Sequence, residues 1–352
     1  MHRSNGQFML EGFWYIAADS RHIRAGRPTA VTLLNRPIVL LRDQSSQAVH
    51  ALEDRCAHRG VPLSVGWQER DSIRCRYHGW RYSLSGTCLE VPSLANGTKP
   101  ELPCVRSFPA QEQDGWVWVY IGSDRCPLAT SPPPQLPSDG SVMLTARVSV
   151  SVKVRIDLAV DSLVDPAHVP FVHNKFFRER HVSKMKEKHF TRLPLGFRTV
   201  SENIRLPNTF IFRALTPRLA RARTTVDFLL PGIHLETLEV GKRVGSIMLI
   251  ATPLTTETTR LDITVGWNFL KWAVPFVWLV RLVAKTTLSQ DREILELQEQ
   301  GHRHKTTMNF SLESDTLAVW YRQLRKFHLD QLAGLPNLSH PLPEKTTLRW
   351  TT

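Results

Sequence analysis

At 352 residues, 42% hydrophobic and 22% charged, the chain is too long for one small core and too ordinary in composition for a fibrous repeat or a disordered tail. Its formal net charge of +13 points to nucleic acid, an anionic membrane surface or an acidic protein partner. The basic residues gather locally at Arg178–Lys188 and Arg218–Arg223, but no nucleic-acid-binding motif accompanies them, which sets DNA and RNA aside.

Residues 13–122 read as all-β. Short runs such as Ile38–Leu41, Ile73–Cys75 and Trp116–Ile121 are separated by Gly, Pro, Asp and Asn turns. A first domain over 1–130 is followed by a linker over 131–140, where Pro132, Pro133, Pro134 and Pro137 cluster. The second domain, 141–352, opens on the alternating stretch Ala146–Val154. A histidine-bearing segment, Ile156–Phe177, comes next. Further strand signals lie at Thr209–Leu215, Thr224–Leu230, Ser246–Thr252 and Arg260–Phe269, and helices are expected over Trp272–Gln300 and Thr316–Leu332. Met1–Ser20 has no secretory pattern. The most apolar run, Leu270–Leu288, is interrupted by Lys271, Pro275, Arg281 and Lys285. It predicts a core helix, with contact to a membrane surface as the other reading, and not a span.

Five cysteines, an odd number, fit no disulfide framework. Two stand at metal-ligand spacing, while Cys88, Cys104 and Cys126 read as thiols of a cytoplasmic protein. Cys56-Ala-His58 and, after sixteen residues, Cys75-Arg-Tyr-His78 form two hooks, each with one Cys and one His. Soft thiolates suit ferric iron. Two neutral imidazoles on a second iron remove negative charge and raise the potential, which makes a [2Fe–2S] cluster the expected occupant. A Cys2His2 zinc site groups like ligands together, and this sequence does not. Gly60 and Gly79 follow the two histidines and free the backbone to turn tightly.

Cys56-Ala-His-Arg-Gly and Cys75-Arg-Tyr-His-Gly-Trp resemble the two boxes of the Rieske non-haem iron oxygenase family. The second box usually carries proline where Arg76 stands, a change that touches no ligand and adds charge. The resemblance implies an α+β protein: an all-β Rieske domain, then an α+β helix-grip (START-like) catalytic domain with an antiparallel sheet. Two histidines and one carboxylate on one face of an iron leave positions open for O2. Asp161-Ser-Leu-Val-Asp165-Pro-Ala-His168-Val-Pro-Phe-Val-His173 matches the family's histidine box, so His168 and His173 are the implied ligands of a mononuclear Fe(II). Asp291 matches the third, with Glu293 as the neighbouring alternative. By the same resemblance Asp165 orients His168 and bridges to His78 of the partner subunit, which requires a ring, expected to be a homotrimer.

The chain carries no Gly-x-Gly-x-x-Gly, so the expected electron source is a separate ferredoxin or reductase, steered by the basic surface. Asp161–His173, the run before Asp291 and Trp320–Arg325 resemble the branch that contains chlorophyllide a oxygenase and pheophorbide a oxygenase. That implies hydroxylation or demethylation of a hydrophobic, aromatic or polycyclic small molecule. Phe171, Phe176, Phe177, Trp272, Phe276 and Trp278 are candidates for its pocket or for plain core. The competing function is an electron carrier with a ligand-binding second domain.

Overall fold

The structure, a computed structural model, describes residues 9–94, 104–123, 126, 128–141, 143–173, 185–205, 221–269, 271–304, 309–310 and 313–351. They fall into two compact units: the first described below spans Glu11–Gln135, and the second runs from Leu136 onward and includes the described residues up to Leu10.

The first unit is built of short strands: β1 (Phe13–Asp19), β2 (Thr29–Leu33), β3 (Arg36–Arg42), β4 (Val49–Glu53), β5 (Trp67–Glu69) and β6 (Ser72–Arg74). After them come β7 (Arg81–Ser83), β8 (Cys88–Glu90), β9 (Ser107–Phe108), β10 (Ala110–Gln113) and β11 (Trp116–Ile121). They pair as three sheets, β1-β11-β10, β2-β3-β4-β9 and β5-β6-β7-β8. Every residue of β11 is buried, because this run of Trp, Val, Tyr and Ile lies between β1 and β10 with both faces covered. The two-residue turn between β2 and β3 puts Leu34 and Asn35 at positive φ, the geometry whose twist matches a tight hairpin. The β5–β8 sheet carries the second metal-ligand hook on the connection between β6 and β7.

The second unit is one antiparallel sheet of eight strands with helices packed on it. The strands are β12 (Leu144–Val152), β13 (Met185–Leu193), β14 (Gly196–Arg205), β15 (Arg221–Leu229), β16 (Ile233–Val240), β17 (Arg243–Pro253), β18 (Thr259–Trp267) and β19 (Lys345–Thr351). Their order is β12-β18-β17-β16-β15-β14-β13-β19. The helices are α1 (Ile156–Val164), α2 (Val169–Val172), α3 (Val277–His304) and α4 (Thr316–Ala333). With the all-β first unit this is the expected α+β class.

An aromatic cluster fastens α4 to the sheet. Phe197 lies 5.1 Å from Phe228, Phe190 5.7 Å from Trp320 and Phe228 5.9 Å from Tyr321, centroid to centroid. Such pairs add about 0.5–1.5 kcal/mol each beyond area burial. Ion pairs then tie α1 to α4: Asp157 to Arg325 and Asp161 to Arg322, with the Tyr321 hydroxyl donating to Asp157. Burial outweighs the Arg322 charge at Asp161 and pushes its carboxyl up to about 6. These contacts fix α1, whose C-terminal end leads directly into the histidine segment.

The expected helix Trp272–Gln300 begins instead as a 3-10 turn over Lys271–Phe276, and the α-helix proper runs Val277–His304. Pro275 has no N–H to donate and delays the α-helical ladder by a turn. Its first half is not core: Val274, Phe276, Trp278, Leu279 and Leu282 are exposed, which overturns the expectation of a core helix. Strands β13, β14, β16 and β19 were not expected. The expected strand Thr209–Leu215 lies outside the described residues, as do Phe176, Phe177 and the Trp272 side chain. Among the described residues no helix is long and apolar enough to cross a membrane.

Candidate metal centres

The two hooks of the first unit share one backbone design. The Cys56 N–H donates to Val61 and the Gly60 N–H to Cys56, while Cys75 donates to Trp80 and Gly79 to Cys75. Gly60 and Gly79 sit at φ +74° and +70°, where a side chain would be strained. At Gly79 a Cβ would also stand 3.1 Å from Pro92. Each loop therefore curls over a buried thiol and lifts its histidine outward. Cys56 and Cys75 are buried within the core of this unit. His58 and His78 are exposed, their rings 4.6 Å apart.

That polarity suits a cluster with one iron held by inner sulfurs and the other by outer imidazoles. His58 lies flat on Trp80, 4.8 Å away at 5°. Desolvation, then the charges of His78 and Arg59, lowers its pKa, which favours the neutral imidazole a metal needs. Burial raises the Cys75 thiol, partly offset by the Tyr77 N–H, so the thiolate requires a cation beside it. The Tyr82 hydroxyl lies 3.3 Å from Cys56 Sγ. Burial and that sulfur hold the phenol well above its usual range, which keeps it a hydrogen-bond donor.

In the second unit α1 stops at Val164 because Pro166 forces the residue before it out of helical geometry. Asp165 is extended, at φ −79° and ψ 111°. The chain restarts as α2, with His168 at one end and His173 at the other, which brings the rings to 5.4 Å. From α3, Asp291 reaches between them. Its Oδ1 is 3.0 Å from His173 Nε2 and 3.7 Å from His168 Nε2. Ligand atoms of these three residues lie within 4.8 Å of one another. Glu293 is exposed and takes no part.

One atom supports the fit of these residues to a metal. Asp291 Oδ1 is buried and has no hydrogen-bond partner, though it stands 3.0 Å from His173 Nε2. A buried carboxylate oxygen with no donor is costly, and a cation between the three side chains would satisfy it. At Asp165, Oδ1 accepts the Ala167 N–H at 2.7 Å, while Oδ2 stands 3.6 Å from His168 Nδ1, just beyond hydrogen-bonding reach. Gln290 was not singled out in the sequence. Its Oε1 lies 2.9 Å from His173 Nδ1, which selects the tautomer that leaves Nε2 for a metal. Burial pulls the His173 pKa down, but Asp291 and Gln290 more than restore it, so it ends raised.

A cavity of about 270 Å³ opens on His168 and Asp291. Asp161, Asp165 and Ser314 form its polar wall, and Val172, Leu295 and Ala318 its apolar one. Phe171, Phe276 and Trp278 do not line it.

Residues 13–109 match the Rieske [2Fe-2S] domain, and residues 152–331 match the vanillate O-demethylase oxygenase C-terminal domain. The chain belongs to the Rieske non-haem iron oxygenases. This family carries a Rieske [2Fe–2S] cluster and a mononuclear non-haem iron, the two groups that the residue chemistry calls for. Among curated Rieske oxygenases, chlorophyllide a oxygenase of Chlamydomonas reinhardtii is 30% identical over 90% of this chain and 48% of its own. The toluene-4-sulfonate monooxygenase iron-sulfur subunit TsaM1 of Comamonas testosteroni is 35% identical over 47% of this chain and 46% of its own. The chain thus spans about half the length of the curated relatives it matches. Two solved Rieske oxygenases share its fold. Dicamba monooxygenase bound to dicamba aligns at TM-score 0.77 and 21% identity, covering 92% of this chain and 99% of its own. NdmA of Pseudomonas putida CBB5 with caffeine aligns at TM-score 0.77 and 19% identity, covering 94% of each.

Proposed function

We propose that the chain is a terminal oxygenase that oxidises a hydrophobic, aromatic or polycyclic small molecule by hydroxylation or demethylation. In this reading Cys56, His58, Cys75 and His78 hold the cluster, and His168, His173 and Asp291 hold the iron. When bound, the cluster supplies single electrons and the iron activates O2 beside the substrate. One observation carries the reading above all: a single chain pairs a two-Cys, two-His site with a separate His168–His173–Asp291 triad whose buried oxygen lacks a partner. An electron carrier has no use for the second site. The test is metal and sulfide analysis after anaerobic purification. The oxygenase holds one iron beyond the pair that accompanies two sulfides, whereas a carrier shows only the pair.

The residues divide the remaining work. Gln290 sets the His173 imidazole, Asp165 stands 3.6 Å from that of His168, and the apolar side of the cavity excludes water from one face of the substrate. Asp165 is a third exposed, which leaves it within reach of His78 of the partner subunit in a ring, a homotrimer in this reading. Asp165→Asn is expected to keep both metal contents and lose turnover; normal turnover would sink the bridging role. Electrons arrive from a ferredoxin or reductase, whose acidic surface the +13 chain attracts. None of the five cysteines forms a disulfide, which supports a reducing, cytoplasm-like compartment. Aromatic and polycyclic substrates are supported by the relatives, named for chlorophyllide, pheophorbide and toluene-4-sulfonate.

A further inference from the structure

The start of the helix that carries Asp291 is apolar where water should meet it. Val274 and Phe276 on the 3-10 turn and Trp278, Leu279 and Leu282 on α3 are all exposed, Trp278 by 57%. Single exposed leucines are ordinary, but five large apolar side chains within nine residues mark a surface built to be covered. Trp278 and Leu282 are one turn apart, as are Leu279 and Leu282, so they form one stripe along the helix. The buried residues Ala284, Leu288 and Leu295 lie on the opposite face, against the sheet. The stripe is therefore surplus to the fold.

Charge says what covers it. From Lys271 to Gln290 there is no acidic residue, while Lys271, Arg281 and Lys285 are basic. Lys285 lies one turn beyond the stripe and is exposed. A two-fold pairing of the stripe would set Lys285 against its own counterpart, in a chain that already carries +13. The stripe also offers on the order of 500 Å², short of the about 800 Å² per partner of a standard interface. Tryptophan and phenylalanine flanked by lysine and arginine are what an interfacial helix presents to anionic headgroups and the acyl boundary beneath them.

We propose that Val274, Phe276, Trp278, Leu279 and Leu282, with Lys285, dock the protein on an anionic lipid surface. The helix lies in the interface without crossing it. Asp291 follows Trp278 by thirteen residues, about 20 Å along the same rod, so the docked face and the iron site belong to one rigid element. A substrate dissolved in the bilayer then needs no aqueous transit. The docking itself is independent of the metal assignments.

Flotation of the holoprotein with vesicles tests it. One set is phosphatidylcholine and phosphatidylglycerol in equal parts, the other phosphatidylcholine alone. The protein is expected to float with the anionic vesicles and to partition several-fold less onto the neutral ones. Trp278→Gln/Leu282→Gln should lower anionic-vesicle partitioning roughly tenfold or more, and Lys285→Gln roughly fivefold. Unchanged cluster absorbance and iron content verify that each variant is folded. Equal flotation of wild type and the double variant overturns the proposal, as does the absence of flotation. Equal binding to both vesicle types removes the anionic assignment. A fall in sedimenting mass of the double variant assigns the stripe to a second copy of the chain and also overturns it.

Discussion

The two candidate metal centres are assembled in opposite ways. The cluster residues come from two loops of one small unit, each shaped by its own backbone: a cysteine N–H bonded across the loop, a glycine N–H bonded back to the cysteine, and that glycine at positive φ. The proposed iron residues come from α2 and α3, elements separated by most of the sheet in sequence, and meet only because both helices pack in the same unit. The first site is therefore local and self-shaping. The second is a product of the whole fold, and damage to the two should separate cleanly.

The largest effect should follow from Cys75→Ser, which removes a buried thiol proposed as a cluster ligand. Cluster absorbance and acid-labile sulfide should vanish while the mononuclear iron stays; loss of both metals would show that the sites are not independent. Asp291→Ala should do the reverse, emptying the triad with the cluster spectrum intact. Glu293→Ala on the exposed face of the same helix should leave iron content at the wild-type level. A smaller effect is expected of Gln290→Leu. It frees the His173 ring and should weaken iron binding about 10- to 100-fold, read by competition with a chelator. Tyr82→Phe should be the mildest. A donor to a ligating sulfur stabilises the reduced, more negative cluster. Its removal should lower the potential by roughly 20–60 mV, taking the bond as about 0.5–1.5 kcal/mol. An unchanged potential would show that the phenol does not address the sulfur.

The same contrast explains what could be read from the sequence. The hooks were legible because ligands and turn-forming glycines sit within a few residues of one another. His168 and His173 were legible as a box, and Asp291 only through resemblance to the family, since a charged helix offers several equivalent carboxylates. Gln290 gave no signal, because its role depends on a ring more than a hundred residues away. Among the strands, β11 announced itself by unbroken Trp, Val, Tyr and Ile. By contrast β13 and β19 carry Lys, Arg, Glu and Thr on an exposed face and pair with each other across the chain, so their strand character comes from tertiary pairing more than from local pattern. The exposed face of α3 was misread as core because hydrophobicity alone does not say which side of a helix the sheet takes.

His173 is hydrogen-bonded at Nδ1 by Gln290 and faced at Nε2, 3.0 Å away, by the next residue of α3, Asp291. An imidazole clasped in this way has little rotational freedom left to surrender. Metal uptake then resembles filling a rigid mould more than folding around a guest. Iron should load and unload with little change in amide hydrogen exchange along α2 and α3. An enzyme stripped by a chelator should recover on simple re-addition of ferrous ion, without a refolding step.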